Sequence, residues 1–331
     1  MGSAIYIGSF PPPYGGVTVK NGLLFQALSQ RIHIKKIDLM KAKQGNLFVI
    51  FALMRCLLFD GDPLVIGTSA SWRRRLTNIL YLLNKKRLAK STLIYMGGVL
   101  PSSNRLIMRF GMYRKVYVET ESMVEQLRSY GLNNVSRYPN CRVRPAENLL
   151  IPSGRTGNIE AVFFSQISKE KGADIVLSAA DKLPQVTFNF YGPVVSEFRS
   201  SFDAALSSLE NVHYHGVFNS AHDDVIGELR QYDLHLFLTQ CDTEGVPGVI
   251  VETKIAGVPT IASSLSHNRE LISDYVDGRL LDDCSPEELA AVIGELDDDR
   301  SSLENMKRAA IRSSEIYYID QYIDEIVGCL L

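Results

Sequence analysis

The stretch that most restricts the fold is "DLHLFLTQCDTEGVPGVIVETKIAGVPTIASS", residues 233–264. Leu234, Leu236 and Leu238 alternate within an apolar run, which predicts a buried strand. After a loop, Pro247 suits a first helical turn, Gly257 suits a left-handed C-terminal cap, and Pro259 forbids continuation. These three predict a helix over 247–256. "PTIASS" predicts another strand. Strand, loop, helix, strand is the unit of a parallel α/β sheet, whose ligands bind outside the carboxyl ends of the strands.

Two carboxylates acquire places from this reading. Glu244 falls in the loop at the strand's carboxyl end, and Glu252 falls on the helix about 8 Å from its start at 1.5 Å per residue. Between them, beside Pro247, stand the amides of Gly245, Val246 and Gly248. A helix start offers unpaired N–H groups and a partial positive charge, which suit a phosphate, while carboxylates accept hydroxyls on either side of it. A sugar, a diphosphate and a ribose would fit such a cradle. Two solvated acids around a Rossmann-like helix would produce the same spacing, because 18 Glu in 331 residues give roughly one such pair by chance.

"EGVPGVIVETKIAGVPTIAS" resembles the Glu-x7-Glu signature of the retaining glycosyltransferases of family 4, which have the two-domain GT-B fold. The resemblance places Glu244 at the donor sugar, as the catalytic residue, and Glu252 at the nucleotide ribose. "AVFFSQISKEKGADIVLSAADKL" (161–183) resembles the family's strand, phosphate loop and helix, with Lys171 at the donor-phosphate lysine. "FNFYGPV" (188–194) resembles the next strand and glycine turn, and "YPNCR" (138–142) the Pro-Asn turn closing the first domain. The similarity covers most of residues 138–290. Two positions depart from the family. Gln166 stands where an arginine normally pairs with the lysine, which removes a charge-assisted, bidentate contact. Met96, in "IYMGG", stands in place of a histidine on the acceptor side. His267, in the "SLSHNREL" loop, is a further candidate for donor contact, Glu270 reads as an N-terminal capping acid, and His235, within a strand, reads as structural.

The amino-terminal end reads as strand ("AIYIGSF"), loop ("PPPYGG") and helix ("VTVKNGLLFQALSQR"). Gly15 and Gly16 allow close backbone approach and leave helix amides free. The family has a similar Gly-Gly loop, which implies that they face the donor phosphates; a tight Pro-rich turn is the plainer alternative. GxGxxG and its downstream acid are absent, which argues against a dinucleotide enzyme. Strands expected at "IHIKKIDL", "PLVIGTS", "STLIYM" and "KVYVE" complete a first parallel sheet, and Pro145 to Asn158 reads as a linker. The expected architecture is α/β GT-B, with two Rossmann-like parallel-sheet domains facing across a cleft. Residues 1–145 form the acceptor side, 146–314 the nucleotide-sugar domain, and 315–331 a last helix crossing back to the first domain.

Charge separates the halves. Residues 1–150 hold 22 Lys/Arg against 7 Asp/Glu, net +15, and residues 151–331 hold 13 against 30, net −17. The first Glu in the chain is Glu119. Such asymmetry points to an anionic partner for the first half. Nucleic acid is the poorer choice, since no recognisable module and no interleaved aromatics beyond Trp72 are present. An anionic membrane surface is the better one. "SWRRRLTNILYLLNKKRLAKS" (71–91) predicts an interfacial helix bearing Arg73, Arg74, Arg75, Lys85, Lys86, Arg87 and Lys90 around an apolar centre. "LFVIFALMRCLLF" (47–59) is too short to span and is interrupted by Arg55, and a helix buried against the sheet is the expectation there.

Five scattered cysteines without a CxxC form neither a disulfide framework nor a zinc site. No basic-then-apolar leader opens the chain, so the expected place is cytoplasmic, peripheral at the inner face of the plasma membrane. Neither a suitable Asp-x-Asp nor a His/Cys cluster is present, and no metal or other cofactor is expected. Together these observations predict a retaining hexosyltransferase that moves a sugar from a nucleotide sugar, UDP-linked in preference, to a lipid-linked glycan precursor in capsule, O-antigen or exopolysaccharide synthesis. The alternatives are a non-catalytic GT-B scaffold of a glycan-synthesis complex, favoured by Gln166 and Met96, and a GT-B epimerase or phosphorylase, which would need an acid pair or cofactor lysine that is not visible.

Overall fold

The computed structural model describes residues 3–59, 61–145, 157–219, 224–242 and 245–331. The chain divides into two units: residues 1–144, 244–246 and 316–331 form unit 1, and residues 145–243 and 247–315 form unit 2. Apart from Pro145, Gly157 and Asn158, the expected linker lies outside the described residues, as does Glu244.

Unit 1 is a parallel sheet in the order β2-β1-β3-β4-β5-β6, built from β1 (Ser3–Gly8), β2 (His33–Asp38), β3 (Leu64–Thr68), β4 (Thr92–Tyr95), β5 (Lys115–Val118) and β6 (Val135–Arg137). Its helices are α1 (Gly16–Ser29), α2 (Leu39–Lys43), α3 (Leu47–Leu58), α4 (Ala70–Leu83), α5 (Lys85–Leu88), α6 (Asn104–Phe110) and α7 (Glu121–Ser129). β3 and β4 are buried on both faces, which is why they read as unbroken apolar runs. The strand order reverses between β1 and β3, so the crevice outside their carboxyl ends is the topological switch point. Gly67 at the end of β3 is required there. A Cβ would stand 2.2 Å from Asn21 Oδ1 and 2.6 Å from the Tyr6 hydroxyl, so glycine lets α1 settle over the reversal. Asn21 holds the position by accepting from Tyr6 at 2.8 Å and donating to the Ser9 carbonyl at 3.0 Å.

Unit 2 repeats the plan in the order β12-β11-β10-β7-β8-β9, again all parallel. Its strands are β7 (Glu160–Phe164), β8 (Thr187–Tyr191), β9 (Val212–Tyr214), β10 (Leu234–Phe237), β11 (Thr260–Ser263) and β12 (Gly278–Leu281). Its helices are α8 (Ala173–Lys182), α9 (Ser196–Ser208), α10 (Val225–Leu229), α11 (Gly248–Ala256), α12 (Asn268–Leu271), α13 (Pro286–Asp298) and α14 (Arg300–Ser313). Phe163, Phe188, Phe190 and Phe202 fill its core. The order reverses between β7 and β10, which sets this unit's switch point.

Three expectations need correction. The segment 71–91 is two helices rather than one, divided at Asn84, whose side chain accepts from the Arg87 amide at 3.1 Å and donates to the Leu57 and Leu58 carbonyls. Arg73 and Arg87 do not join the surface cluster. Arg73 is buried with its guanidinium 3.3 Å from the centroid of the Tyr95 ring, and Arg87 is buried beside Cys56. Arg74, Arg75, Lys85, Lys86 and Lys90 remain exposed. The tail is not a single helix: 3-10 turns at Ser314–Tyr317 and Ile319–Gln321 precede a short helix, Ile323–Gly328. Between the turns Tyr318 is extended, because Arg142 pairs with this backbone, donating its amide to the Tyr317 carbonyl and accepting from the Ile319 amide.

His235 is structural. It is fully buried on β10, with Nδ1 3.2 Å from Thr260 Oγ1, and burial holds its pKa down at about 3. The unfolded chain takes up a proton at this residue below pH ~6.5 and the folded chain does not. Its contribution is therefore complete above that pH and is lost at about 1.4 kcal/mol per unit as the pH falls, or about 2 kcal/mol by pH 5. Denaturant unfolding of wild type and His235→Gln at pH 7.5 and 5, values spanning about one such transition, should show a smaller pH loss in the variant; parallel losses would remove His235 as the cause.

Candidate functional site

The loops of unit 2 that carry the sequence candidates leave the carboxyl ends of three adjacent strands, β7, β10 and β11. After β7, residues 165–168 run beside the 192–195 turn, with the Ile167 amide donating to the Pro193 carbonyl at 2.9 Å and Val195 donating back at 3.2 Å. Gly192 makes this possible: its φ is +136°, and a Cβ would lie 1.9 Å from the Ser165 carbonyl oxygen. Gln166 sits exposed in the loop. A 3-10 turn, Lys169–Lys171, follows, capped by Ser168. It ends at Gly172, whose φ of +79° would bring any Cβ to 2.3 Å from the Leu238 carbonyl. The Lys171 loop is thereby pressed onto the end of β10, and the Gln240 amide donates to the Glu170 carbonyl at 2.8 Å. Half-buried Lys171 stands at the reversal of strand order, where an α/β sheet holds its ligand.

α11 begins at Gly248 with Pro247 as its N-cap and no side-chain cap bond, and the first amides of a helix have no acceptor within the helix itself. It ends on Gly257 at φ +74°. Glu252 is half-buried on its second turn. The helix is anchored from below by Lys254, which donates to Asp277 at 2.5 Å and to Ser313 Oγ at 2.9 Å. Burial lowers the Lys254 pKa and Asp277 opposes that shift. Gly245 and Val246 group with unit 1, Val246 being buried. His267 is the N-cap residue of α12, with Nδ1 3.6 Å from Glu270 Oε1 and Nε2 buried without a hydrogen-bond partner among the described residues.

In unit 1, Gly15 is the N-cap of α1 and Gly16 its first residue, and both are exposed. A Cβ at either would meet nothing within 4 Å, and neither has a positive φ. In contrast to Gly67, Gly172 and Gly192, the chain's own packing does not require glycine here, and the expected close approach of a donor at this loop is open to test. Gly16→Ala should then leave stability unchanged or raise it by up to about 1 kcal/mol, while lowering kcat/KM about tenfold or more through misplacement of the reactant. Thermal unfolding beside steady-state rates checks this; an alanine variant of full activity would return the loop to being a simple turn.

Sequence reasoning missed a buried charged cluster in unit 1. Lys20, on the second turn of α1, pairs with Glu119 at the end of β5, and each is 2% exposed. Lys20 Nζ also donates to the Tyr95 carbonyl at 3.2 Å, and Arg73, stacked on the Tyr95 ring, donates to the Thr68 carbonyl at 3.2 Å. Burial lowers the Arg73 pKa and pushes the Tyr95 hydroxyl up to about 12. Glu119 Oε2 has no hydrogen-bond partner among the described residues. One signal was available: the first Glu of the chain closes the strand "KVYVE", where a parallel sheet places functional groups. Met96 is a core residue, 1% exposed among Tyr6, Phe10 and Leu24. Among the described residues no group of three or more His, Cys, Asp or Glu is arranged to hold a metal ion.

Residues 152–313 match the family model described as "Glycosyl transferases group 1". No curated protein matches the chain in sequence. Among solved structures, HepE of Anabaena, in complex with UDP, is 17% identical with a TM-score of 0.73, over 100% of this chain and 99% of that one. Sucrose-phosphate synthase of Thermosynechococcus elongatus is 12% identical with a TM-score of 0.71, over 99% and 98%. The lipopolysaccharide outer core galactosyltransferase WaaB is 13% identical with a TM-score of 0.64, also over 99% and 98%. The architecture is GT-B, and with the matched domain the chain is a glycosyltransferase.

Proposed function

We propose that this glycosyltransferase moves a hexose from a nucleotide sugar, UDP-linked in preference, to a lipid-linked glycan precursor, with retention of configuration at the transferred carbon. The observation that carries the reading is the unit-2 switch point, where the Lys171 loop is pressed onto the end of β10 and α11 begins with no side-chain cap over its first amides. Lys171 and those amides take the diphosphate, and Glu252 accepts from the ribose hydroxyls. Glu244, by its family resemblance, meets the reacting sugar. The donor's chemistry is further supported by HepE, solved with UDP and with UDP-glucose. WaaB, a lipopolysaccharide outer core galactosyltransferase, supports a glycan acceptor in cell-envelope polysaccharide synthesis. An acceptor of that kind places the enzyme at the cytoplasmic face of the plasma membrane.

In the proposed step the acceptor oxygen attacks the anomeric carbon on the face the diphosphate leaves. The bond from that carbon to the phosphate oxygen breaks, and the acceptor proton passes to the departing phosphate. Negative charge grows on the diphosphate, so fixed donors aimed at it stabilise the transition state more than the ground state. Gln166 supplies a neutral donor where an arginine would supply charge. This scheme routes no charge through a metal, and activity is expected to survive a chelator.

Release of nucleoside diphosphate from UDP-, GDP- and ADP-sugars, with and without membrane extract, tests the reading. Extract-stimulated release from one donor, giving a product of unchanged anomeric configuration by NMR, is expected. Inversion would remove the retaining assignment. Silence across the panel despite nucleotide binding would favour a non-catalytic scaffold.

A further inference from the structure

The helix α3 buries only one narrow stripe, Leu53, Cys56 and Leu57, with Val49 half-buried. Its other face is apolar as well, and it is bare: Leu47, Phe48, Phe51 and Met54 are exposed, Phe48 by 89% and Phe51 by 71%. A soluble helix puts polar residues on that side. The patch extends beyond the helix. Asn84 donates to the carbonyls of Leu57 and Leu58, which ties the α4–α5 junction to the end of α3, and the residues just before it, Leu82 and Leu83, are 71% and 63% exposed. Phe59, following the helix, is exposed too. Large contiguous apolar surface of this kind marks an interaction site.

We propose that the outer face of α3, with Leu82 and Leu83, is the surface by which unit 1 docks on an anionic lipid bilayer, α3 lying in the interface plane. Charge selects this occupant. Exposed Lys41, Lys43 and Arg55 belong to the α2–α3 segment, and exposed Lys85 and Lys86 begin α5, next to Asn84. Between Pro63 and Val118 the chain has eleven Lys/Arg and no Asp or Glu. A second copy of this chain docking face to face would bring two such basic rims together, whereas acidic headgroups neutralise them. Length agrees: twelve residues make a helix about 18 Å long, short of the roughly 30 Å hydrocarbon core. Among the described residues no helix is long and apolar enough to cross a membrane. Seven exposed apolar side chains beside basic ones are the composition of a helix that lies in the headgroup region. This inference deepens the lipid-linked acceptor reading, and vesicle binding without sugar transfer, or the reverse, tells the two apart.

Sedimentation of the full chain with vesicles tests it, using phosphatidylcholine containing roughly one third phosphatidylglycerol and pure phosphatidylcholine, at about 50 mM salt and again above about 0.5 M. Wild type is expected to pellet with the acidic vesicles, and to be released as salt shortens the screening length. Phe48→Ser/Phe51→Ser should lower the partition at least about tenfold even at low salt. Both phenylalanines are exposed, so the variant should unfold at the wild-type temperature and bind nucleoside diphosphate unchanged. Lys85→Glu/Lys86→Glu should lose binding to acidic vesicles while keeping its thermal unfolding. The proposal is overturned if wild type stays in solution with acidic vesicles, or if the phenylalanine variant pellets as wild type does. It is equally overturned if the patch proves to hold a dimer that the phenylalanine variant splits, with no binding to lipid.

Discussion

Lys171→Met is expected to lower turnover by about two to three orders of magnitude, the usual effect of removing one fixed donor aimed at developing charge, with little change in thermal stability. Both halves of that expectation come from the same geometry. The lysine sits half-buried at the end of a 3-10 turn that Ser168 caps and that Gly172 closes against Leu238. The fold therefore keeps its loop when the charge goes. Turnover should suffer more than donor affinity, because the charge on the diphosphate grows as the sugar departs. Lys171→Arg keeps the charge and should recover part of the rate. A methionine variant within threefold of wild type, about 0.7 kcal/mol at the transition state, would remove Lys171 from the reaction.

Glu119→Ala is expected to be the most damaging single change to unit 1, costing about 3–5 kcal/mol. It strands the Lys20 ammonium in a site 2% exposed, with the Tyr95 carbonyl and the Tyr138 ring beside it and the Arg73 guanidinium nearby. A buried pair contributes little net stability against apolar replacements, whereas a lone buried charge is severely unfavourable. Lys20→Met/Glu119→Leu should accordingly recover most of the loss. Denaturant unfolding of the two variants beside wild type decides this: a single change costing under about 1 kcal/mol would mean that water reaches the pair. Activity of a restored double variant would report separately whether Glu119 Oε2, without a hydrogen-bond partner among the described residues, has a role beyond the fold.

The α11 unit was legible because its punctuation is local. Pro247, Gly257 and Pro259 bound the helix in the sequence, and the structure places its start at Gly248 and its cap at Gly257. The strand, turn and helix around Lys171 were legible through resemblance, but the reason for the turn's shape was not. Gly172 is needed because the Leu238 carbonyl, sixty-six residues away in the chain, lies where a side chain would go. The basic helix was misread for the same reason. Arg73 looks like its neighbours Arg74 and Arg75 until Tyr95 provides a ring for it to stack on. α3 is apolar on most faces, so its periodicity could not tell which face the sheet covers, and the buried reading missed the exposed one. The tail's apolar residues suit a continuous helix, and pairing with Arg142 breaks it at Tyr318, a tertiary hydrogen bond outweighing local propensity.

Titrating the protein and its Glu252→Ala variant with UDP, GDP and ADP by calorimetry bears most directly on where the donor is held. One diphosphate, UDP before the others, should bind wild type and bind the variant at least about tenfold more weakly, a difference of about 1.4 kcal/mol. Equal affinities for the two proteins, or no binding of any of the three, would contradict a donor site at the reversal of strand order in unit 2.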